Sequence, residues 1–481
     1  MSRTYPSLVL RGSKLARSGY FSPLFAAILG SFTFAYWFPG QLPRDSASQY
    51  AESLSGHITD WHSPIMGRLW ALLEPLAGGP WSLFALNTTL YWLGLAAIAE
   101  ALRRSGRATL AVLTLLGGAS PLFMFFNRQI ITDVGLASAF IAAFGVTFWF
   151  RYQGRSLPAA AWIFITSALV YGTLVRTNGA FAVPPLIFYA CGLRPRIASP
   201  KWLCLCVGMS IALIPLTIAA NRSVLGAANS GAVQRLQIYD IVGIAYRTGD
   251  YNEIRAAAGG VPTQLSHCYS PVLWDTLMHL QCDNLWYRLP PPGTPARAEI
   301  GRLWIRAIID HPIAYALHRF EHFNIETFFM VPPAPQCVSA PELHDCGPAQ
   351  TEAQRTLKSV PLTYADYLLK NPVVWPITWL ALAIALAVFS RDDESELATA
   401  AGALLASALI YGAAYAAIGI AMNVRYFYWT ILSTQTAAIM LLFHPFESKN
   451  LRTFLYVLGP VVVIVVIGYV FRFGAIDLFV R

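Results

Sequence analysis

The chain has 481 residues, of which 56% are hydrophobic and 12% are charged, and its mean hydropathy is +0.50. This composition is typical of a polytopic membrane protein. The net charge of +9 could suggest nucleic acid, but the segment 222–370 holds slightly fewer Lys and Arg than Asp and Glu. Nucleic-acid binding needs a basic face, so we expect no such partner. Walker A, GxGxxG, HExxH and GxSxG patterns are missing, which leaves nucleotide-driven and NAD chemistry without support.

Charge-free apolar runs recur along the chain, separated by short charged clusters. Because lipid cannot bond exposed backbone groups, these runs predict transmembrane helices and an all-α fold class. The run 177–193 contains Pro184 and Pro185, which predicts a kinked or partly re-entrant segment. Eleven candidate spans result, at residues 18–43, 75–99, 108–127, 134–150, 156–175, 177–193, 202–221, 371–390, 397–424, 426–446 and 453–471.

Lys and Arg set the predicted orientation. They are concentrated in the N-terminus and in alternate loops, which we place in the cytoplasm. An odd number of spans then puts the C-terminus outside, together with the loop 44–74. The predicted organisation is an N-terminal membrane block at 1–221 with seven spans, an outer domain at 222–370 and a C-terminal membrane block at 371–481 with four spans.

The first outer loop is predicted to form two short helices. The first covers 45–55, with Asp45 near its N-terminus as a cap. The second covers 64–76, where apolar residues at helical spacing oppose polar ones. That pattern is typical of a helix lying along the membrane interface.

The outer domain is predicted to be mainly helical, with helices at 232–246 and across 296–330, the latter interrupted at 310–312. It carries four of the seven cysteines. Disulfides persist in oxidising compartments, so these cysteines support the outer location. A zinc site is the alternative, although the spacings are not those of a zinc ribbon or finger. Local closure favours two disulfides, Cys268 with Cys282 and Cys337 with Cys346.

Polar residues collect at the predicted outer ends of the spans, whereas the span interiors are free of charge. If the helices form a bundle, these groups converge on a shallow cavity at the outer leaflet, where a lipid-linked phosphate would present itself. Four separate loops contribute them: Asp45, Asp60 and His62; Asn127, Arg128 and Asp133; Arg176 and Asn178; Asn423, Arg425 and Tyr426.

Such a cavity suits glycosyl transfer from a polyprenyl phosphate donor. A carboxylate takes the proton of the acceptor hydroxyl while positive groups stabilise the leaving phosphate. Asp45 is the first candidate for this base and Asp60 the second. A guanidinium matches phosphate oxygens. The candidate phosphate ligands are therefore Arg128, Arg176, Arg425 and Tyr426, and the candidate substrate contacts are His62, Asn178 and Asp133.

Each assignment has a structural alternative. Asp45 could only cap its helix, and the segment 60–62 could be a turn with an interfacial tryptophan. The arginines could pair with neighbouring carboxylates or extend to lipid headgroups. Asp60 and His62 could bind a divalent metal ion, although two ligands are a weak signal.

The chain resembles the GT-C superfamily of polytopic glycosyltransferases, which use lipid-phosphate-linked sugars. The similarity is carried by Arg44-Asp45-Ser46-Ala47-Ser48-Gln49, Asp60-Trp61-His62-Ser63-Pro64 and Arg425-Tyr426-Phe427-Tyr428. Arg176-Thr177-Asn178-Gly179 and Asp310-His311-Pro312 are similar to patterns in bacterial membrane proteins of that group.

This resemblance covers the N-terminal block best and implies a GT-C-like fold. It also implies that an acidic residue of the first outer loop, by position Asp45, is the catalytic base. The superfamily often has two adjacent acidic residues there, whereas the next ones here are Glu52 and Asp60. Which carboxylate acts, and whether a metal is used, therefore stays open.

The expected function is glycosyl transfer in a bacterial inner membrane, from a polyprenyl phosphate donor to a periplasmic glycan or lipid acceptor. The N-terminus is then cytoplasmic, and the C-terminus and large loop are periplasmic. An O-antigen polymerase or ligase is the nearest alternative. A lipid or glycan transporter is an alternative of another class, which the charge-free spans disfavour. A bare assembly factor would leave the outer arginines unexplained.

Overall fold

The computed structural model describes residues 21–195, 197, 199–263, 265–331, 371–442 and 451–473. These residues form helices, turns and three isolated β-bridges, with no β-strand among them, which confirms the all-α class. The helices are Phe21–Trp37, Arg44–Ser55, Pro64–Ala77, Trp81–Arg104, Ala108–Gly118, Pro121–Asn127, Thr132–Arg151, Ala159–Val175, Val183–Ala190, Pro200–Ala219, Ala232–Thr248, Asn252–Ala258, Leu265–Cys268, Leu285–Arg288, Pro295–Asp310, Pro312–Glu326, Pro376–Ser390, Glu396–Ile418, Tyr428–Leu442 and Leu451–Phe473.

Several helices are suited to a bilayer, which indicates a membrane protein. Among the described residues, four are long and apolar enough to cross one: Trp81–Arg104, Thr132–Arg151, Pro200–Val224 and Glu396–Ile418. The pair 108–118 and 121–127, bent by 51°, makes a fifth if it is one broken span. Other predicted runs give shorter apolar helices. The number of eleven spans therefore stays a prediction.

The run 177–193 does not form one continuous helix. A 3₁₀ turn covers Thr177–Phe181, and an eight-residue helix covers Val183–Ala190. Eight residues rise about 12 Å, far less than the roughly 30 Å of a hydrocarbon core. The two prolines lie in the first turn of the second helix, where a missing N–H costs nothing.

The short helices of the first loop occur where the sequence predicts them. Arg44–Ser55 ends at Gly56, which has a left-handed backbone. Pro64–Ala77 begins after Ser63, whose side chain accepts a hydrogen bond from the backbone N–H of Met66. Together they connect the first apolar helix to Trp81–Arg104.

The helices Trp81–Arg104 and Thr132–Arg151 form the tightest contact in the described bundle. They meet through Gly94 and Gly145, and a β-carbon at either position would overlap with the backbone of the opposite helix. Leu95 and Phe140, which lie on these two helices, are fully buried in the same apolar core. Backbone contact of this kind is the packing that small residues allow in membrane helices.

The described residues 222–331 form a smaller unit, here called the cap unit. Its core includes Ile238, Trp274 and Leu285, all buried. Cys268 and Cys282 form a disulfide within it, as predicted. The predicted partners Cys337 and Cys346 lie outside the described residues.

Two short backbone contacts attach the cap unit to the rest of the chain. Thr59 pairs with Ala228 in an isolated β-bridge, and the Asp60 N–H donates to the Ala228 carbonyl at 2.9 Å. Leu273 pairs likewise with Ala421. These contacts bring segments of the cap unit beside the first loop and beside the segment that leads into Arg425.

A buried polar network also ties the cap unit to the end of Glu396–Ile418. Asp240 accepts from His318 Nε2 at 3.1 Å and from Trp304 at 2.7 Å, and it pairs with Arg319. The Arg319 guanidinium also donates to the carbonyl of Gly419 at 2.6 Å. Because buried charges are stable only when paired, this network fixes one position of the segment after residue 418.

We expect Gly94→Ala to destabilise the protein. Replacing a helical glycine normally gains stability through the unfolded state, but here the added methyl group overpacks the contact, at a cost of about 1–3 kcal/mol. Thermal unfolding in detergent measures the effect. Gly208→Ala is the matched control, since a β-carbon there meets no atom within 4 Å. Equal unfolding temperatures for the two variants would contradict the close approach.

Stability should fall in acid because of His318. Burial lowers the pKa of His318 to about 4, against an opposing effect of Asp240, whereas an unfolded histidine has a pKa of about 6.5. Between these values the unfolded chain binds a proton that the folded chain does not, so stability is lost as the pH falls from about 6.5 towards 4.

The measurement is the loss of thermal stability between pH 7.5 and pH 5, which we expect to be smaller in His318→Gln than in the unaltered protein. His279→Gln, at an exposed position of the cap unit, should keep the full loss. A loss of the same size in all three proteins would exclude His318 as its source.

Candidate functional site

Four charged residues from distant parts of the chain meet at one end of the helix bundle. Arg425 Nη2 lies 3.1 Å from Asp45 Oδ2, and Arg425 Nε lies 3.6 Å from Asp133 Oδ2. Arg176 Nη1 lies 2.7 Å from Asp133 Oδ1. We call Asp45, Asp133, Arg176 and Arg425 the charged cluster.

Local structure explains why each member points to the same place. Asp45 lies in the first turn of Arg44–Ser55, and Asp133 in the first turn of Thr132–Arg151. Arg176 directly follows Ala159–Val175. Arg425 lies in a 3₁₀ turn that begins after Asn423, whose side chain accepts from the Arg425 N–H. All four therefore stand at helix ends, as the sequence predicts.

Polar and aromatic groups support the cluster. Arg176 Nε donates to Asn178 Oδ1 at 3.1 Å, and Asn178 Nδ2 donates to the Tyr415 hydroxyl at 2.5 Å. The Arg176 guanidinium lies 4.3 Å from the centroid of the Tyr426 ring. Tyr426 stacks on Tyr415 with ring centroids 5.7 Å apart. Asn178 and Tyr426 are thus part of the predicted convergence.

Exposure divides the two carboxylates of the cluster into different roles. The Asp45 side chain is 63% exposed, whereas that of Asp133 is 1% exposed. Asp133 lies between two guanidinium groups and compensates their charge. Its burial favours a positioning role, and the contact of Asp133 with substrate stays a prediction. Asp45 is the carboxylate that a substrate can reach.

The capping alternative for Asp45 does not describe its contacts. Pro43 occupies the N-cap position, and no side chain caps the helix. The carboxylate instead pairs with Arg425, 380 residues further along the chain. An exposed carboxylate in a long-range ion pair is more typical of a functional site than of a helix cap.

Asp60, the second candidate base, is a structural residue. Its Oδ2 accepts from Arg222 at 2.7 and 3.0 Å, and its Oδ1 accepts from the N–H and hydroxyl of Ser230 at 2.7 and 2.6 Å. The side chain is 11% exposed. Both carboxylate oxygens of Asp60 bind Arg222 and Ser230 and so hold the first loop to the cap unit. This arrangement does not favour Asp60 as the base that accepts a substrate proton.

His62 and Asp60 do not share a metal position. His62 Nδ1 lies 2.9 Å from Glu52 Oε1, while Asp60 is held by Arg222. No group of three or more His, Cys, Asp or Glu residues suited to a metal ion occurs in the part of the chain that the structure describes. In this arrangement Asp60 and His62 have different partners, and a metal site at the first loop stays a hypothesis.

Arg128 is separated from the predicted phosphate ligands by its burial. Arg128 is 1% exposed. Its guanidinium lies 4.2 Å from the centroid of the Phe125 ring and 5.3 Å from that of the Trp37 ring. No ion pair of Arg128 occurs within the described ranges. Arg128 therefore packs between aromatic rings, and its binding of phosphate stays a prediction that this contact does not favour.

Two residues that the sequence did not single out lie in the cap unit near the cluster. The Arg235 guanidinium lies 4.2 Å from the Trp61 ring centroid and 5.7 Å from that of Trp274. Asp275 follows Trp274 directly. Burial raises the pKa of Asp275, Arg235 lowers it, and the charge of Asp45 raises it further. The charge of Asp45 thus acts on Asp275, although the two residues lie 230 positions apart in the sequence.

The sequence carried only a weak signal for this pair. Trp274-Asp275 places an acid beside a tryptophan, as Asp60-Trp61 does. Compared with protein-family models, with curated proteins and with solved structures, the chain shows no match to any of them. The resemblance to GT-C enzymes therefore stays a hypothesis.

Asp133→Asn should destabilise the fold by about 3 kcal/mol or more, because it leaves two arginines without their buried counter-charge. Combining it with Arg176→Gln should recover much of that loss, since the double variant removes one of the uncompensated cations. A double-mutant cycle on thermal unfolding measures this coupling.

The pair Arg391 and Asp392 is the matched control, because both side chains are well exposed and exposed pairs contribute little. Its cycle should show almost no coupling. Strict additivity at Asp133 and Arg176 would contradict their role as a buried pair.

Proposed function

We propose that the protein is a membrane glycosyltransferase that moves a sugar from a polyprenyl phosphate donor to a glycan or lipid acceptor, with Asp45 as general base. The observation that carries this proposal is the accessible Asp45 carboxylate held by Arg425 at the helix ends. A base beside cations suits a reaction in which a proton is taken while negative charge develops on a leaving phosphate.

The transfer balances without a further reactant. Asp45 accepts the proton of an acceptor hydroxyl, and the hydroxyl oxygen forms a bond to the anomeric carbon of the donor sugar. The bond between that carbon and the phosphate oxygen breaks, and the phosphate keeps the electron pair. Arg425 links the two halves, because protonation of Asp45 removes the negative charge that Arg425 compensates. Its guanidinium is then available to the new phosphate charge.

The location of the site supports a lipid-linked donor. The charged cluster lies at the ends of apolar helices such as Thr132–Arg151. A polyprenyl chain needs an apolar phase while its phosphate needs polar partners, and both occur at this boundary. On the charge rule for topology this end is periplasmic, since Arg103 and Arg104 lie at the opposite end of Trp81–Arg104. We therefore propose a bacterial inner-membrane enzyme with a periplasmic site and a GT-C-like fold.

Asp45→Asn should lower transfer at least a hundredfold, the scale of a lost general base. The assay uses purified protein in lipid nanodiscs, a labelled monosaccharide on polyprenyl monophosphate, and membranes lacking the protein as the source of acceptors. Insertion and thermal unfolding should stay unchanged because the side chain is exposed. Full activity in the variant would remove Asp45 from the mechanism.

Asp60→Asn provides the contrast, because it should lower thermal stability yet keep transfer per folded molecule. Donor chemistry separates the alternatives. Transfer only from oligosaccharide on polyprenyl pyrophosphate would favour a polymerase or ligase. Movement of labelled sugar across the membrane without transfer would favour a transporter.

A further inference from the structure

Charge pairing leaves the proposed phosphate without an obvious partner in the charged cluster. Two aspartates, Asp45 and Asp133, already face two arginines, Arg176 and Arg425. A phosphate bound there would add negative charge to a set that is balanced before the reaction. A cation that lacks a close counter-charge would bind the donor phosphate more favourably.

Arg235 has this property. It lies in the first turn of Ala232–Thr248, and its Nε donates to the Ala232 carbonyl at 3.3 Å. Within the described ranges it makes no ion pair with a carboxylate, and its two terminal nitrogens make no hydrogen bond. The residue is half-buried, and neither terminal nitrogen is among the fully buried atoms that lack a hydrogen-bond partner. The free part of the guanidinium is the fork that matches phosphate oxygens.

Aromatic rings hold this fork in place. The Arg235 guanidinium lies over Trp61, which packs against Trp274 with ring centroids 5.9 Å apart. A third ring, Trp286, contacts both, at 6.0 and 5.2 Å. Stacking restricts the side chain before any ligand arrives, so less conformational entropy is lost on binding.

Through its contact with Trp61, Arg235 also lies against the loop that carries the proposed base, Asp45. Burial lowers the pKa of Arg235, while Tyr426, Asp275, Asp60 and Asp45 act in the opposite direction. Of these carboxylates, Asp60 is compensated by Arg222 and Asp45 by Arg425. Asp275 remains as a counter-charge at longer range. The backbone bridges of Ala228 with Thr59 and of Leu273 with Ala421 bring the cap unit against the loop of Asp45 and against the segment that leads into Tyr426.

We propose that Arg235, held by Trp61, binds the phosphate group of the lipid-linked donor across from Asp45. The cap unit would then supply the phosphate ligand and the helix ends the base, so the reaction takes place between them. This inference rests on the proposed function, and it replaces Arg128 by Arg235 as a phosphate ligand.

Binding of polyprenyl monophosphate without a sugar tests this assignment apart from catalysis. With protein in nanodiscs, tryptophan fluorescence reports binding beside Trp61 and Trp274. Arg235→Gln should weaken binding about ten- to a hundredfold, as expected for loss of a charged hydrogen bond. Arg235→Lys should recover part of the affinity, since it keeps the charge but not the fork. Arg302→Gln, whose side chain is 83% exposed, is the matched control and should bind normally.

Two further probes identify the source of the phosphate. Neutral polyprenol should bind equally to the unaltered protein and to Arg235→Gln, and inorganic phosphate should compete only weakly with the lipid. If inorganic phosphate bound as tightly as polyprenyl monophosphate, a lipid-linked ligand would be excluded. If polyprenol bound as tightly as polyprenyl monophosphate, the phosphate site itself would be excluded.

The failures of the two proposals can be told apart. If the unaltered protein transfers sugar and binds polyprenyl monophosphate, but Arg235→Gln binds it equally well, the inference fails and the proposed function stands. The inference would also be overturned if Arg425→Gln lost the binding of polyprenyl monophosphate while Arg235→Gln kept it. If the unaltered protein neither binds polyprenyl monophosphate nor transfers sugar, the proposed function fails.

Trp61→Phe keeps an aromatic ring beneath Arg235, so it should retain most of the affinity for polyprenyl monophosphate. Near-native unfolding temperatures would confirm that each variant folds.

Discussion

The buried carboxylate of Asp133 is the constraint on which the arrangement of the site depends. A charge at 1% exposure is tolerated only when opposite charges compensate it, and here the compensation comes from Arg176 and Arg425. Because these residues belong to different elements, compensation requires Thr132–Arg151, the end of Ala159–Val175 and the turn at 424–427 to meet. Arg425 then reaches Asp45, so the position of the accessible carboxylate follows from the needs of the buried one.

The same compensation limits what the cluster can bind. Arg176 and Arg425 are fully engaged while both aspartates are ionised, and an incoming phosphate would compete with them. In the proposed reaction, protonation of Asp45 changes this balance and so connects proton transfer to the charge of the leaving group. The proposed binding of the donor phosphate by Arg235, in the cap unit, would resolve the competition without removing either ion pair.

Much of the local structure could be predicted from the sequence, because it depends on local signals. Apolar runs predicted helices, a capping residue predicted the helix at 45–55, and helical spacing predicted those at 64–76 and 232–246, all close to the observed bounds. Placing the charged residues on one side of the membrane was enough to predict that Asp45, Arg176 and Arg425 lie close together. The sequence could not predict which residues these side chains contact. Asp60 binds Arg222, which is 162 residues away, and Arg128 lies between aromatic rings. Arg235 and Asp275 were missed because only long-range backbone contacts bring them to the site.

The buried network of the cap unit extends this dependence. Asp240 holds Arg319, and Arg319 holds the carbonyl of Gly419, six residues before Arg425. The bridge between Leu273 and Ala421 lies between these two points. A shift of the cap unit would move the segment 419–425 and with it the partner of Asp45. The core of the cap unit thus helps to position Arg425 within the charged cluster. Arg235 belongs to the same cap unit and would move with it. The relative position of the base and the proposed phosphate ligand is consequently fixed by the folding of the cap unit as well as by the packing of the helix bundle.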